Sequence, residues 1–246
     1  MKTLIVGDIH NKHKNVEPLL SKWDGNIIFV GDYFDDFYDT PNDAISTALW
    51  LKESLTKENR IHLMGNHDFH YMLPLDCGIY CSGYTDAKHK SIKSILTKED
   101  WDKVKYFHEY GKYWISHAGI TKNWFSHPVK GFDINSVEFV IDKTKGYVDS
   151  LLFEGMGAFY AADSYRGGSY EKGGLLWNDW RNTELIDGVI QIVGHTPSNR
   201  IQIKTDGINY AYNVDCWFEE FLIIYDEGCS QIVKSVDLFN QYGIVS

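Results

Sequence analysis

Apolar residues run almost unbroken through Lys2 to Val6 and again through Asn26 to Val30. Short continuous runs of this kind mark strands covered on both faces. Between them, Asn11 to Trp23 reads as a helix. Thr40 to Leu55 predicts another, opened by Thr40-Pro41, where a hydroxyl can cap the first turn and proline's missing N–H leaves no bond unmade. Arg60 to Met64 predicts a third strand. Strands interleaved with helices imply βαβ units and a largely parallel sheet, whose ligand site lies at the carboxyl ends of its strands.

Further along, residues from about Phe69 to Tyr110 read as a helical excursion with a loop, in which Thr97-Lys98-Glu99-Asp100 resembles a capping box before Trp101 to Phe107. Lys112 to Ile115 returns to strand. Gly131 to Gly174 reads as helix and then loop, ending in a glycine cluster at Gly167, Gly168, Gly173 and Gly174. Strands are expected at Gly188 to Val193, Ile201 to Lys204, Asn209 to Val214, Glu220 to Tyr225 and Gln231 to Val236. Turns at Asp206-Gly207 and Glu227-Gly228 give them hairpin spacing and predict a second, antiparallel-leaning sheet. No repeat or linker interrupts the pattern. One domain over residues 1–246 is expected, with the excursion at about 69–110 and a Gly-rich site loop at about 164–182.

Composition narrows the class. With 246 residues, 43% of them hydrophobic, the chain can bury one sizeable core. Its apolar runs fall far short of the ~20 residues that span a bilayer, so no membrane association is expected. Cys77, Cys81, Cys216 and Cys229 form no CxxC pair. Free thiols in a reducing, cytoplasmic setting are expected, although Cys77 and Cys81 sit close enough to share a ligand. A formal charge of −10, with arginine only at 60, 166, 181 and 200, makes nucleic acid an unfavourable partner. Part of that acidity would be cancelled if carboxylates hold divalent cations.

The chemistry gathers at strand ends. Gly7-Asp8-Ile9-His10, Gly31-Asp32, Gly65-Asn66-His67-Asp68, Ser116-His117 and Gly194-His195 each follow an apolar run with a small residue and then a metal-competent side chain. Glycine at such an exit permits torsions that aim the next side chain over the sheet edge. Each piece alone is commonplace, since Gly-Asp usually marks a turn and a lone histidine usually packs in a core. Their joint occurrence predicts one site built from Asp8, His10, Asp32, Asn66, His117 and His195. Imidazoles mixed with oxygen donors and no thiolate suit manganese, iron or zinc. Two such ions sharing a carboxylate, for which Asp32 is the choice, can hold both ends of an in-line phosphoryl displacement.

Taken together, these segments resemble the calcineurin-like metallophosphoesterase superfamily, with its D-x-H, G-D-x-x-D, G-N-H-D/E, H and G-H-x pattern. Gly194-His195-Thr196-Pro197 lacks the second histidine of many nucleases and phosphodiesterases and looks like the bacterial part of the phosphoprotein phosphatase branch. Gly31-Asp32-Tyr33-Phe34-Asp35, Ser116-His117-Ala118-Gly119-Ile120 and Leu175-Leu176-Trp177-Asn178-Asp179 are similar to that branch too. The resemblance implies an α/β (α+β) fold, a central two-sheet β-sandwich flanked by helices in four layers. It also implies two divalent metal ions, manganese first and iron or zinc as alternatives. Asp8, His10 and Asp32 would hold the first ion, and Asp32, Asn66, His117 and His195 the second. His67 would be the general acid, oriented by Asp35, with metal-bound hydroxide as nucleophile. The implied partner is a phosphorylated protein, with phosphoserine or phosphothreonine first, or a nucleotide of the diadenosine tetraphosphate kind. A nucleic-acid phosphodiesterase or a binding module without catalysis ranks below both. The oligomeric state is left open.

Two departures stand out. Asp36 occupies the place where the eukaryotic-type motif has a phosphate-clamping arginine, and a negative charge there would repel a substrate dianion. Arg181 is the expected substitute, with Arg166 second. Downstream, Asn213-Val214-Asp215-Cys216-Trp217 lacks the glycine of the bacterial I-D-T-G-C-like turn. Asp215 there either supports a ligating histidine or caps the turn. Trp177 and Trp180 flank Asp179 and are candidates to stack on a substrate ring, while His13 and His70 read as structural or exposed.

Overall fold

The computed structural model of the 246-residue chain describes residues 1–75, 78, 80–121, 160–226 and 228–244. In chain order its first elements are β1 (Lys2–Val6), α1 (His13–Leu20), β2 (Asn26–Phe29), α2 (Pro41–Ser54), β3 (Arg60–His62), α3 (Asn66–Met72), α4 (Asp86–Lys93) and α5 (Lys98–Trp101). There follow β4 (Phe107–Tyr110), β5 (Tyr113–Ser116), β6 (Ile190–Val193), β7 (Gln202–Thr205), β8 (Tyr210–Asn213), β9 (Glu220–Tyr225), β10 (Ser230–Lys234) and α6 (Ser235–Gln241). The helix expected from Gly131 onward lies mostly outside the described residues, as does Cys77.

Two mixed sheets of five strands pack face to face, one in the order β10-β9-β1-β2-β3 and the other β4-β5-β6-β8-β7. The parallel β1, β2 and β3 are the expected βαβ units. Alternation along β1 and β2 shows why both runs are apolar after their first residues. Ile5, Ile28 and Val30 join Ile115, Ile192 and Val214 of the second sheet in one buried cluster. Leu4, Val6, Ile27 and Phe29 point the other way, into a cluster with Leu19, Ala44 and Ala48 of α1 and α2. Each such side chain, fully buried, contributes about 1.5–3 kcal/mol. The α/β sandwich with flanking helices is therefore the fold of this chain.

The local signals hold at α2. Asp43 N donates to Thr40 Oγ1 and Thr40 N donates to Asp43 Oδ2, a closed capping box. Ala44, Thr47, Ala48 and Leu51 are buried at helical spacing on its inner face. At Thr97 the capping box also forms, but the helix stops at Trp101 and Phe107 begins β4 instead of ending a helix.

The C-terminal strands do not make a sheet of their own: β9 and β10 join the first sheet, β9 pairing antiparallel with β1 from Lys2↔Tyr225 to Ile5↔Leu222. The second sheet is parallel at β5–β6 and β6–β8 and antiparallel only at β4–β5 and β7–β8. Val236, expected in the last strand, lies in α6.

Candidate metal centre

Five strands, β1 to β3 parallel in one sheet and β5 and β6 parallel in the other, end at one edge of the sandwich. Asp8 and His10 follow β1, Asp32 follows β2, Asn66 opens α3 after β3, His117 follows β5 and His195 follows β6. Several left-handed torsions fall on the candidate residues themselves: φ is +41° at His10, +50° at Asp32, +63° at Asp35 and +68° at His195. Such torsions are uncommon without glycine and accumulate where a site demands them. Two of the preceding glycines act by making room. A Cβ on Gly65 would lie 2.1 Å from Asp32 Oδ1, and one on Gly194 would lie 2.1 Å from Asp8 Oδ1. The expected torsional role holds at Gly31, where φ is +110°.

Donor atoms of Asp8, His10 and Asp32 lie within 4.8 Å of one another, and so do those of Asp32, His117 and His195. Asp32 belongs to both groups. Asn66 Oδ1 joins the second, 2.8 Å from His117 Nε2, which is also 3.0 Å from His195 Nδ1. The backbone sets which imidazole nitrogen faces the centre. His117 Nδ1 donates to the Val30 carbonyl and His10 Nδ1 to those of Phe34 and Asp35, leaving each Nε2 lone pair for the cage.

The electrostatics ask for cations. Burial pushes the Asp8 carboxyl well above the carboxylate range, and Asp215 and Asp32 push it further. Burial acts on Asp32 in the same sense, but His117, His67 and His10 around it hold it well below. Burial and Asp32 lift Asp215 to about 7, and its Oδ2, like His195 Nε2, is buried without a hydrogen-bond partner. Crowded acids, convergent imidazoles and orphaned polar atoms fit divalent ions of the manganese, iron or zinc type.

Beside the cage lies His67. Its backbone N–H donates to Asp32 Oδ1 at 2.9 Å and its Nδ1 faces Asp35 Oδ2 at 3.3 Å. Burial opposes protonation of His67, yet Asp32 and Asp35 raise its pKa above the ordinary value. Asp35 is a hub: Tyr71 Oη donates to Oδ1 at 2.6 Å, Lys88 Nζ at 2.7 Å, and His70 Nε2 lies 3.3 Å from Oδ2. Of these, His70, which reads in the sequence as structural or exposed, takes the structural place. It is fully buried.

Residues 1–216 match the family model of calcineurin-like phosphoesterases. The chain belongs to that family. It is a metal-dependent hydrolase of phosphoester bonds, and the family works with paired divalent ions. Solved structures of like fold include the cold-active protein-tyrosine phosphatase of a psychrophilic Shewanella species, at 16% identity and TM-score 0.58, covering 95% of this chain and 80% of that one. Another is a protein serine/threonine phosphatase from Saccharomyces cerevisiae with similarity to human phosphatase PP5, at 11% identity and TM-score 0.52, with the same 95% and 80% coverage. Identities this low show shared fold alone. No curated protein is a significant match.

In the phosphoesterase, a cavity of about 430 Å³ opens over the cage, with His10, Asp32, Asn66, His67 and His195 on its floor. Arg166 lines it, and Nη2 donates to His195 O at 3.0 Å and Thr196 Oγ1 at 2.6 Å while Nε pairs with Asp179 at 2.9 Å. Arg181 is absent from the lining residues. It folds back on Asp179 at 2.8 Å and covers the ring of Tyr165. Trp177 lines the cavity beside His195, whereas Trp180 is buried against Val193 and Ala211. Cys81 is buried, its thiol donating to Asn66 O at 3.1 Å. Among the described residues no helix is long and apolar enough to cross a membrane. Lys12 escaped the sequence reading. It pairs with Asp36 at 2.8 Å, so the acid in the arginine's place is neutralised. Only its position two residues after His10 hinted at this.

Proposed function

We propose that the protein is a dinuclear-metal phosphomonoesterase of the protein-phosphatase kind, acting as one domain with manganese as the preferred ion. The carrying observation is that His67, backed by Asp35, shares the cavity floor with two ligand groups joined through Asp32. Asp8, His10 and Asp32 would hold one ion and Asp32, Asn66, His117 and His195 the other. When bound, the pair supplies charge neutralisation and Lewis-acid activation at phosphorus. The chain's own groups do the rest. Asp35 accepts from Nδ1–H and, with Asp32, favours the imidazolium form of His67, whose Nε2–H is then given to the departing ester oxygen. Arg166 clamps non-bridging phosphate oxygens with donors that its contacts to His195 and Thr196 have already aimed.

Hydrolysis of p-nitrophenyl phosphate with added manganese tests this reading. Activity that His67→Asn reduces by about 10²–10⁴-fold is expected. Absence of activity, or activity that this substitution leaves intact, counts against it. A nucleotide pyrophosphohydrolase is the second reading, because two aromatic residues, Trp177 and Tyr165, line the cavity where a base would lie. Competition between diadenosine tetraphosphate and a phosphopeptide separates the two.

A further inference from the structure

The chain departs from its motifs at Asp36 and again in the turn that ends at Trp217, and in the fold these two places meet. Lys12 joins them, with Nζ 2.8 Å from Asp36 Oδ2 and 4.5 Å from the centroid of the Trp217 ring. Asp36 and Trp217 both line the cavity over the cage. The turn that lacks glycine is made by left-handed torsions at Trp217 (φ +56°) and Phe218 (φ +63°). Bulky residues rarely adopt such torsions, and they persist only where the surroundings hold them. Burial does not explain Trp217, which is 44% exposed. A strained backbone, a cation on the ring and an ion pair behind that cation together present an indole to the site. Its ring centroid is 6.4 Å from that of His10, a member of the cage.

We infer that Trp217, braced by Lys12 and Asp36, is the specificity-determining wall of the site and takes an aromatic ring bonded directly to the ester oxygen. The substrate class is then an aryl phosphomonoester, such as a phosphorylated tyrosine side chain. Resting on the phosphomonoesterase reading, the inference narrows its substrate from an alkyl to an aryl ester. Proximity carries the choice. With phosphorus over the cage, a ring 6.4 Å from His10 is near enough to meet a group bonded directly to the ester oxygen, whereas a nucleoside places a ribose between its phosphate and its base. A serine ester has no π face to offer. Phe37, 84% exposed on the same cavity, gives the ring a second apolar neighbour. Asp36 is no obstacle, since Lys12 neutralises it and the free phosphate charge faces Arg166.

Calorimetric binding of phenylphosphonate and methylphosphonate to the manganese-loaded protein tests the wall without turnover. Phenylphosphonate is expected to bind about tenfold more tightly, the worth of one stacked ring. Trp217→Ala should remove most of that gap and Trp217→Phe should keep most of it. Lys12→Met, which leaves the ring in place without its brace, should narrow it. A gap under twofold in the unaltered protein, or one that survives Trp217→Ala, overturns the inference. In turnover, the ratio of kcat/KM for phenyl phosphate over phosphoserine should fall about tenfold in Trp217→Ala; an unchanged ratio overturns it as well. Tight phenylphosphonate binding without hydrolysis of any monoester would sink the catalytic reading alone.

Discussion

The ammonium of Lys88 lies 2.7 Å from Asp35, and both side chains are buried almost completely. Lys88 also reaches both oxygens of Asp39, at 2.9 and 3.0 Å, so one cation from α4 ties down the loop that follows β2. Removing one partner of such a pair strands buried charge, which costs about 3–5 kcal/mol. Lys88→Met is therefore expected to lower the unfolding free energy by about that much, and to reduce kcat more than it raises KM, because Asp35 loses its anchor. Urea denaturation beside steady-state kinetics checks both parts. An unchanged midpoint would show that Lys88 is dispensable.

Asp32 is the residue common to both ligand groups. Asp32→Asn keeps its shape and removes the charge, so loss of transition-metal affinity should exceed the roughly 10–100-fold typical of a supporting residue. The unaltered protein should gain about 2.7 kcal/mol of stability when manganese is present at a hundred times its Kd. Thermal shift and metal analysis read both effects. A full manganese shift in Asp32→Asn would remove Asp32 from the cage.

Arg166 and Arg181 compete for one role, and their geometry separates them. Arg166 lines the cavity, while Arg181 is turned onto Asp179 and Tyr165. Arg166→Met should weaken inorganic phosphate as a competitive inhibitor about 10–100-fold, the worth of charge-assisted hydrogen bonds. Lysine cannot reproduce the planar fork and should not rescue it. Arg181→Met should change phosphate inhibition by no more than about twofold. The reverse order would return the clamp to Arg181.

The placement of the candidate residues was legible because buried strands write themselves as apolar runs, and five of those runs end in a metal-competent side chain. Pairing partners were harder to read. Phe221 to Ile224 announces a strand buried on both faces, but nothing local says that it pairs with β1 on one side while β10 pairs with it on the other, instead of joining β8 in the second sheet. β4 is a partly exposed edge strand with no clear alternation. Lys88 sits among His89, Lys90 and Lys93 in a polar helix, where any lysine looks solvated. Arg181 drew attention by standing two residues from Asp179, and that same closeness lets it fold back and leave the cavity to Arg166. Asp36 looked like an unpaired negative charge because its partner, Lys12, comes from the preceding loop.

His62 gives the fold a dependence on acid that is independent of catalysis. It is buried at the end of β3, stacked on Phe29 at 4.4 Å, with Ser54 Oγ 2.9 Å from Nε2 and Tyr33 Oη 3.0 Å from Nδ1. Burial, with Arg60 nearby, pushes its pKa down to about 3 from an ordinary 6.5. Above pH 6.5 the ring is neutral in both states, and its contribution to stability is whole. Between 6.5 and about 3 the unfolded chain takes up a proton that the folded chain refuses, so stability falls with pH by about 1.4 kcal/mol per unit. From pH 7 to pH 5 that amounts to about 2 kcal/mol. His62→Gln keeps a donor and an acceptor but cannot titrate. The stability difference between the unaltered protein and His62→Gln should therefore shift by about 2 kcal/mol over this range, in favour of the variant at low pH. Urea denaturation of both at the two pH values measures it. A difference that does not move with pH would mean that His62 titrates normally inside the fold.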